Sequence, residues 1–103
     1  MVTIKVEWSA EAKLDLLDIL EFYINRNGNS IYSRKLFSRI NKSIRLLCKN
    51  PFLGKQTEVV PVRALITGDY QILYEVFDKL ILVIMIWDCK RDPENKIIDI
   101  RKK

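Results

Sequence analysis

The apolar positions of this chain change their period twice, and each change marks an element. Residues 2–8 alternate as in a strand, whose successive side chains point to opposite faces. Ser9 stands where a helix N-cap belongs and is followed by the helix-favouring Ala10, Glu11 and Ala12. Leu16, Leu17, Leu20, Tyr23 and Ile24 then recur at helical spacing until Asn27-Gly28-Asn29 stops the run. A second helix is read over residues 30–50, closed by Pro51, with Leu36, Phe37, Ile40, Ile44, Leu47 and Cys48 on one side of the wheel. The short link predicts an antiparallel helical hairpin. Residues 51–58 form an irregular connector, punctuated by Pro51 and Gly54.

Beyond the connector the period returns to two. Residues 63–66 read as a short strand and Thr67-Gly68-Asp69 as a turn. In the next strand Tyr70, Ile72, Tyr74 and Val76 share one face, while Gln71, Leu73, Glu75 and Phe77 share the other. Asp78-Lys79 turns the chain into Leu80-Ile81-Leu82-Val83-Ile84-Met85-Ile86-Trp87, apolar at every position, which is the mark of a strand covered on both faces. Simple alternation divides this run into Ile81, Val83, Met85 and Trp87 on one side and Leu80, Leu82, Ile84 and Ile86 on the other. One set meets the hairpin. The other needs cover worth about 1.5–3 kcal/mol per side chain, from the chain's own helix or tail or from a partner. The expected fold is α+β in two layers: a C-terminal antiparallel meander of three strands, joined by the N-terminal strand, with the hairpin on one face. Residues 90–103 are a basic tail, with Pro93 interrupting any helix, that forms a short strand or helix or orders on a partner.

At 103 residues the chain makes a single domain with no room for a separate catalytic module. Hydrophobic residues at 49% and charged residues at 30% exclude disorder as the explanation of its function. The N-terminus lacks the basic and apolar regions of a leader, and the eight-residue apolar run is too short to span a bilayer, so a cytoplasmic location without membrane contact is expected. Cys48 and Cys89 match no metal-ligand spacing and read as free thiols. Histidine is absent, which removes the commonest general base and zinc ligand. No phosphate-cradling loop, nucleophile elbow or dinucleotide fingerprint occurs, and no metal or cofactor is expected.

Charge narrows the partners. The net charge of +5 favours an acidic partner, either nucleic acid or protein. Much of it sits on the second helix, where Arg34, Lys35, Arg39, Lys42, Arg45 and Lys49 have no acid among them. All but Arg34 share an arc of roughly 120° opposite the apolar stripe, either a solvated face or a contact surface. Arg63, Gln71 and residues 87–93 lie at strand ends, where functional groups are usually displayed. Tyr70 and Tyr74 read as core or rim residues with a polar tip. Lys90-Arg91 either pairs with Asp88 and Asp92 or meets a polyanion.

Several short segments, in their order and spacing, carry a resemblance. They are Val6-Glu7-Trp8-Ser9-Ala10-Glu11-Ala12, Asn50-Pro51-Phe52-Leu53-Gly54-Lys55, Val62-Arg63-Ala64-Leu65, Asp69-Tyr70-Gln71-Ile72-Leu73-Tyr74-Glu75-Val76 and Lys90-Arg91-Asp92-Pro93. Together they resemble the RelE/ParE superfamily of type II toxin–antitoxin toxins, closest to its ParE-like branch. The resemblance implies a toxin neutralised by a cognate antitoxin, with operator DNA bound only through the antitoxin. ParE-like members are associated with inhibition of DNA gyrase, whereas RelE-like members cut mRNA on the ribosome with basic residues and a tyrosine. Here Gln71, Val62, Ala64 and Ile97 stand where the RelE-like pattern has an arginine, two lysines and a tyrosine, leaving Arg91 as the match. One arginine cannot activate the ribose hydroxyl, stabilise the phosphorane and protonate the leaving oxygen. The reading is therefore a gyrase inhibitor rather than an enzyme; the alternatives are a metal-independent mRNA endoribonuclease and a non-toxic binding protein. Arg63, Lys90 and Arg91 are the candidates for target binding, and Lys35, Arg39, Lys42, Tyr74, Val83, Met85 and Trp87 those for the antitoxin interface.

Overall fold

The computed structural model describes residues 4–89. The order is β1 (Lys5–Trp8), α1 (Ala10–Asn27), α2 (Ile31–Lys49), β2 (Lys55–Gln56), β3 (Arg63–Thr67), β4 (Tyr70–Phe77) and β5 (Leu80–Asp88). The sheet runs β1-β5-β4-β3-β2, with β1 parallel to β5 and the other neighbours antiparallel. The helical hairpin covers one face, as the two-layer α+β reading expects. The connector is more ordered than its composition suggests, because Lys55 and Gln56 pair with Ala64 and Arg63.

Local chemistry sets the helix ends. Ser9 is extended, and its hydroxyl accepts the Ala12 N–H at 3.0 Å. Gly28, at φ 75°, closes α1 in the left-handed region that glycine adopts without strain. At the start of α2 the capping side chain belongs to Asn29, whose Oδ1 accepts the Ile31 N–H at 3.1 Å, while Ser30 makes no such bond. Ser33 then ties the hairpin by donating to the Leu20 carbonyl across the helices at 2.8 Å.

β5 departs from simple alternation. Leu73 opposes Met85 but Tyr74 opposes Val83, so Ile84 is an extra residue, a β-bulge. Val83 and Ile86, three residues apart, consequently both enter the helix-side core with Ala12, Leu16, Ile19, Ile40, Ile44 and Ile72. Met85 packs on the other side, with Leu73 and Val62. Neither alternating set read from the sequence survives intact. The segment leaving β1 stabilises the bulge: Ser9 N–H donates to the Val83 carbonyl at 2.9 Å, Ser9 Oγ donates to the Ile84 carbonyl at 2.8 Å, and Asp15 Oδ2 accepts the Ile86 N–H at 3.1 Å. These bonds satisfy backbone groups that β1, ending at Trp8, no longer reaches.

The cover over the second face comes from the connector. Val59 and Val62 pack on Leu73, Met85, Ala64 and Ile84. Their loop is closed by Val62 N–H to the Val59 carbonyl at 2.7 Å and Thr57 Oγ1 to the Val62 carbonyl at 2.8 Å. The chain thus seals the middle of its own doubly apolar strand. On the same face Ile66 and Phe77 stay exposed.

Candidate functional site

Arg63, expected to touch a target, braces the connector. Its Nε donates to the Gly54 carbonyl at 3.0 Å, Nη2 to the Phe52 carbonyl at 3.2 Å and Nη1 to Gln56 Oε1 at 3.2 Å. The guanidinium also lies over the Phe52 ring, 5.2 Å from its centroid. Beneath it Tyr74 is fully buried, its hydroxyl accepting the Gly54 N–H at 2.8 Å and donating to the Pro51 carbonyl at 2.9 Å. A Cβ on Gly54 would sit 2.7 Å from that hydroxyl and 2.8 Å from the Ala64 carbonyl oxygen, so this close approach requires glycine. The Asn50-Pro51-Phe52-Leu53-Gly54-Lys55 segment, Arg63 and Tyr74 are therefore one structural unit.

A second polar cluster closes the far end of the hairpin. Tyr23 Oη donates to Asp88 Oδ2 at 3.0 Å, and the Tyr32 and Tyr70 hydroxyls are 2.9 Å apart. Burial raises the pKa of Tyr23, with the Asp88 carboxylate adding to the effect. Tyr70 is raised further, by burial first and then by its bond to Tyr32. Asp88 faces this cluster from a buried position, where it accepts the Tyr23 hydroxyl. Lys90 and Arg91 themselves lie outside the described residues.

The antitoxin-interface candidates divide. Tyr74, Val83, Met85 and Trp87 are all buried within the chain, Tyr74 and Val83 on the hairpin side and Met85 beneath the connector. Exposed apolar side chains lie on the hairpin, at Leu14, Leu17 and Ile24 on α1 and Ile31, Phe37 and Leu46 on α2, and also on the connector and sheet, at Phe52, Leu53, Val60, Ile66 and Phe77. The helical wheel carries a signal for Leu14. Leu14 falls on the wheel about 160–180° from the buried Leu16 and Tyr23, too far round to belong to one core stripe. Lys35, Arg39 and Lys42 are exposed and, with Ser38, Ser43 and Leu46, line a groove of about 450 Å³. Ser43 Oγ donates to Thr67 Oγ1 at 3.1 Å, and Arg39 Nη1 lies 3.1 Å from where a Cβ on Gly68 would stand, so the groove borders the β3–β4 turn.

A helical hairpin on a five-stranded mixed sheet, with a self-covering connector and a basic outer helix, defines a small two-layer α+β fold. Residues 6–93 match the family described as the ParE toxin of the type II toxin-antitoxin system, parDE, and the chain belongs to that family. Its fold is similar to that of a chain in the chromosomal ParDE toxin–antitoxin system of P. aeruginosa, at TM-score 0.72 and 23% identity, covering 82% of this chain and 94% of that one. No curated protein gives a significant match. Among the described residues no helix is long and apolar enough to cross a membrane.

Proposed function

We propose that this ParE-family toxin inhibits DNA gyrase and is neutralised by a cognate antitoxin seated on the helical hairpin. The observation that carries the first part is the engagement of the polar groups nearest to a nuclease pattern. Arg63 is bound into the connector, Tyr74 is buried beneath it, and Gln71 Nε2 contacts Cys89 Sγ at 3.7 Å. RNA cleavage needs an accessible acid, base and phosphorane-stabilising cation, and Arg63 and Tyr74 are engaged in holding the connector while Gln71 is neither acid nor base. For the antitoxin, Leu14, Leu17, Ile24 and Phe37 supply apolar anchors, each worth about 1.5–3 kcal/mol when fully covered. That is enough to offset the ordering of a disordered segment.

Induced expression of the chain should arrest growth with signs of replication failure, and the purified protein should inhibit gyrase supercoiling. Unimpaired gyrase together with mRNA cleavage at the ribosomal A site would overturn the reading. Lys90 and Arg91 follow as target contacts: Arg91→Ala should weaken inhibition by roughly 5- to 150-fold, the equivalent of one charge-assisted bond of about 1–3 kcal/mol, with melting unchanged. Hydrogen exchange with the antitoxin bound should slow at α1 and α2.

A further inference from the structure

We propose that the outer face of α2 binds the phosphate backbone of duplex DNA without reading its sequence. The inference stands apart from the gyrase reading and assigns DNA contact to the toxin itself. Lys35, Arg39, Lys42, Arg45 and Lys49 are spread over Lys35–Lys49 of one helix, about 21 Å at 1.5 Å rise per residue. No acid lies anywhere in Ile31–Lys49, and Asp69 is the one acid of the bordering turn. A stretch of duplex of that length presents about 12 phosphates, one per 1.7 Å of axis, so the row meets more negative charge than it can neutralise. The groove adds what phosphate recognition uses besides charge. Ser38 brings a hydroxyl, and Arg39 is positioned against the Gly68 backbone at one wall.

Other polyanions fit this face less well. Single strands are held by aromatic side chains on which bases stack, and no aromatic residue lines the groove. An acidic peptide helix needs apolar anchors at repeated helical spacing, but the groove has Leu46 alone, and Phe37 lies about 160° round the helix from Arg39. Double-stranded RNA has a major groove too narrow for a helix to enter, whereas the major groove of B-form DNA, about 12 Å wide, admits one.

The test is fluorescence anisotropy of the full chain with a labelled 20-base-pair DNA duplex between 50 and 200 mM salt, on the order used to expose counterion release. Three to five phosphate contacts predict a slope of log K against log salt between about −2.7 and −4.5. The exposed triple variant Lys35→Ala/Arg39→Ala/Lys42→Ala should bind at least about tenfold more weakly at 50 mM salt, with a slope shallower by about 2.7. Lys42→Glu alone should shift both in the same direction, while Arg26→Ala on α1 should leave them unchanged. The proposal is overturned if the triple variant keeps the parent slope. It is equally overturned if a 20-residue polyglutamate, a single strand or an RNA duplex of equal length competes as well as the DNA duplex.

Discussion

Replacing Tyr74 by Phe removes one oxygen and, with it, the bonds that hold the connector to the sheet. The ring keeps its place beside Leu47 and Ile81, so the apolar packing is conserved. What is lost is the acceptor for the buried Gly54 N–H and the donor to the part-buried Pro51 carbonyl. An unsatisfied buried donor costs about 1–3 kcal/mol and the second, wetter bond about 1 kcal/mol. The expected loss is therefore about 2–4 kcal/mol, a large share of the 5–15 kcal/mol typical of a domain. In urea the midpoint should fall with the slope unchanged, and the melting temperature should drop on the order of 10–20 °C. Gly54→Ala attacks the same contact from the other side, since its Cβ would come 2.7 Å from the Tyr74 hydroxyl. The two changes should be non-additive, the double variant losing less than the sum. A loss below about 0.5 kcal/mol for Tyr74→Phe, or strict additivity with Gly54→Ala, would refute the view that this hydroxyl anchors the connector.

Two further perturbations address the bulge and the tyrosine cluster. Ser9→Ala removes both the cap on Ala12 and the bond to the Ile84 carbonyl, and should cost about 1.5–3 kcal/mol by urea denaturation; a cost no larger than an ordinary exposed cap would detach the bulge from Ser9. Tyr23 and Tyr70 have raised pKa values in the folded chain, so above about pH 10, where unfolded tyrosines ionise, the unfolded state releases protons first. Their contribution is whole below pH 10 and lost as pH rises toward the folded values. Urea midpoints at pH 9, 10 and 11 should fall, less steeply in Tyr23→Phe, and equal declines in both proteins would count against the assignment.

Much of the architecture is legible in local pattern. Helical spacing located both helices, Ser9 and Gly28 marked the ends of α1, the Asp78-Lys79 turn joined the last two strands, and the basic arc of α2 is visible on a wheel. These features depend on residues a few positions apart, whose preferences act whatever the rest of the chain does. Three features are not local, and the tertiary structure alone decided them. A run that is apolar at every position carries no alternation with which to choose its faces; the choice, with its bulge at Ile84, comes from hydrogen bonds to Ser9 and Asp15, about 70 residues away in sequence. Val59 and Val62 look like loop residues until the connector folds back over Leu73 and Met85. Arg63 reads as a surface cation because nothing in its own strand reveals that the Phe52 and Gly54 carbonyls will converge on its guanidinium. The period of a segment is set by its own residues, but which face is buried and which charge is committed depend on groups that only folding brings within hydrogen-bonding distance.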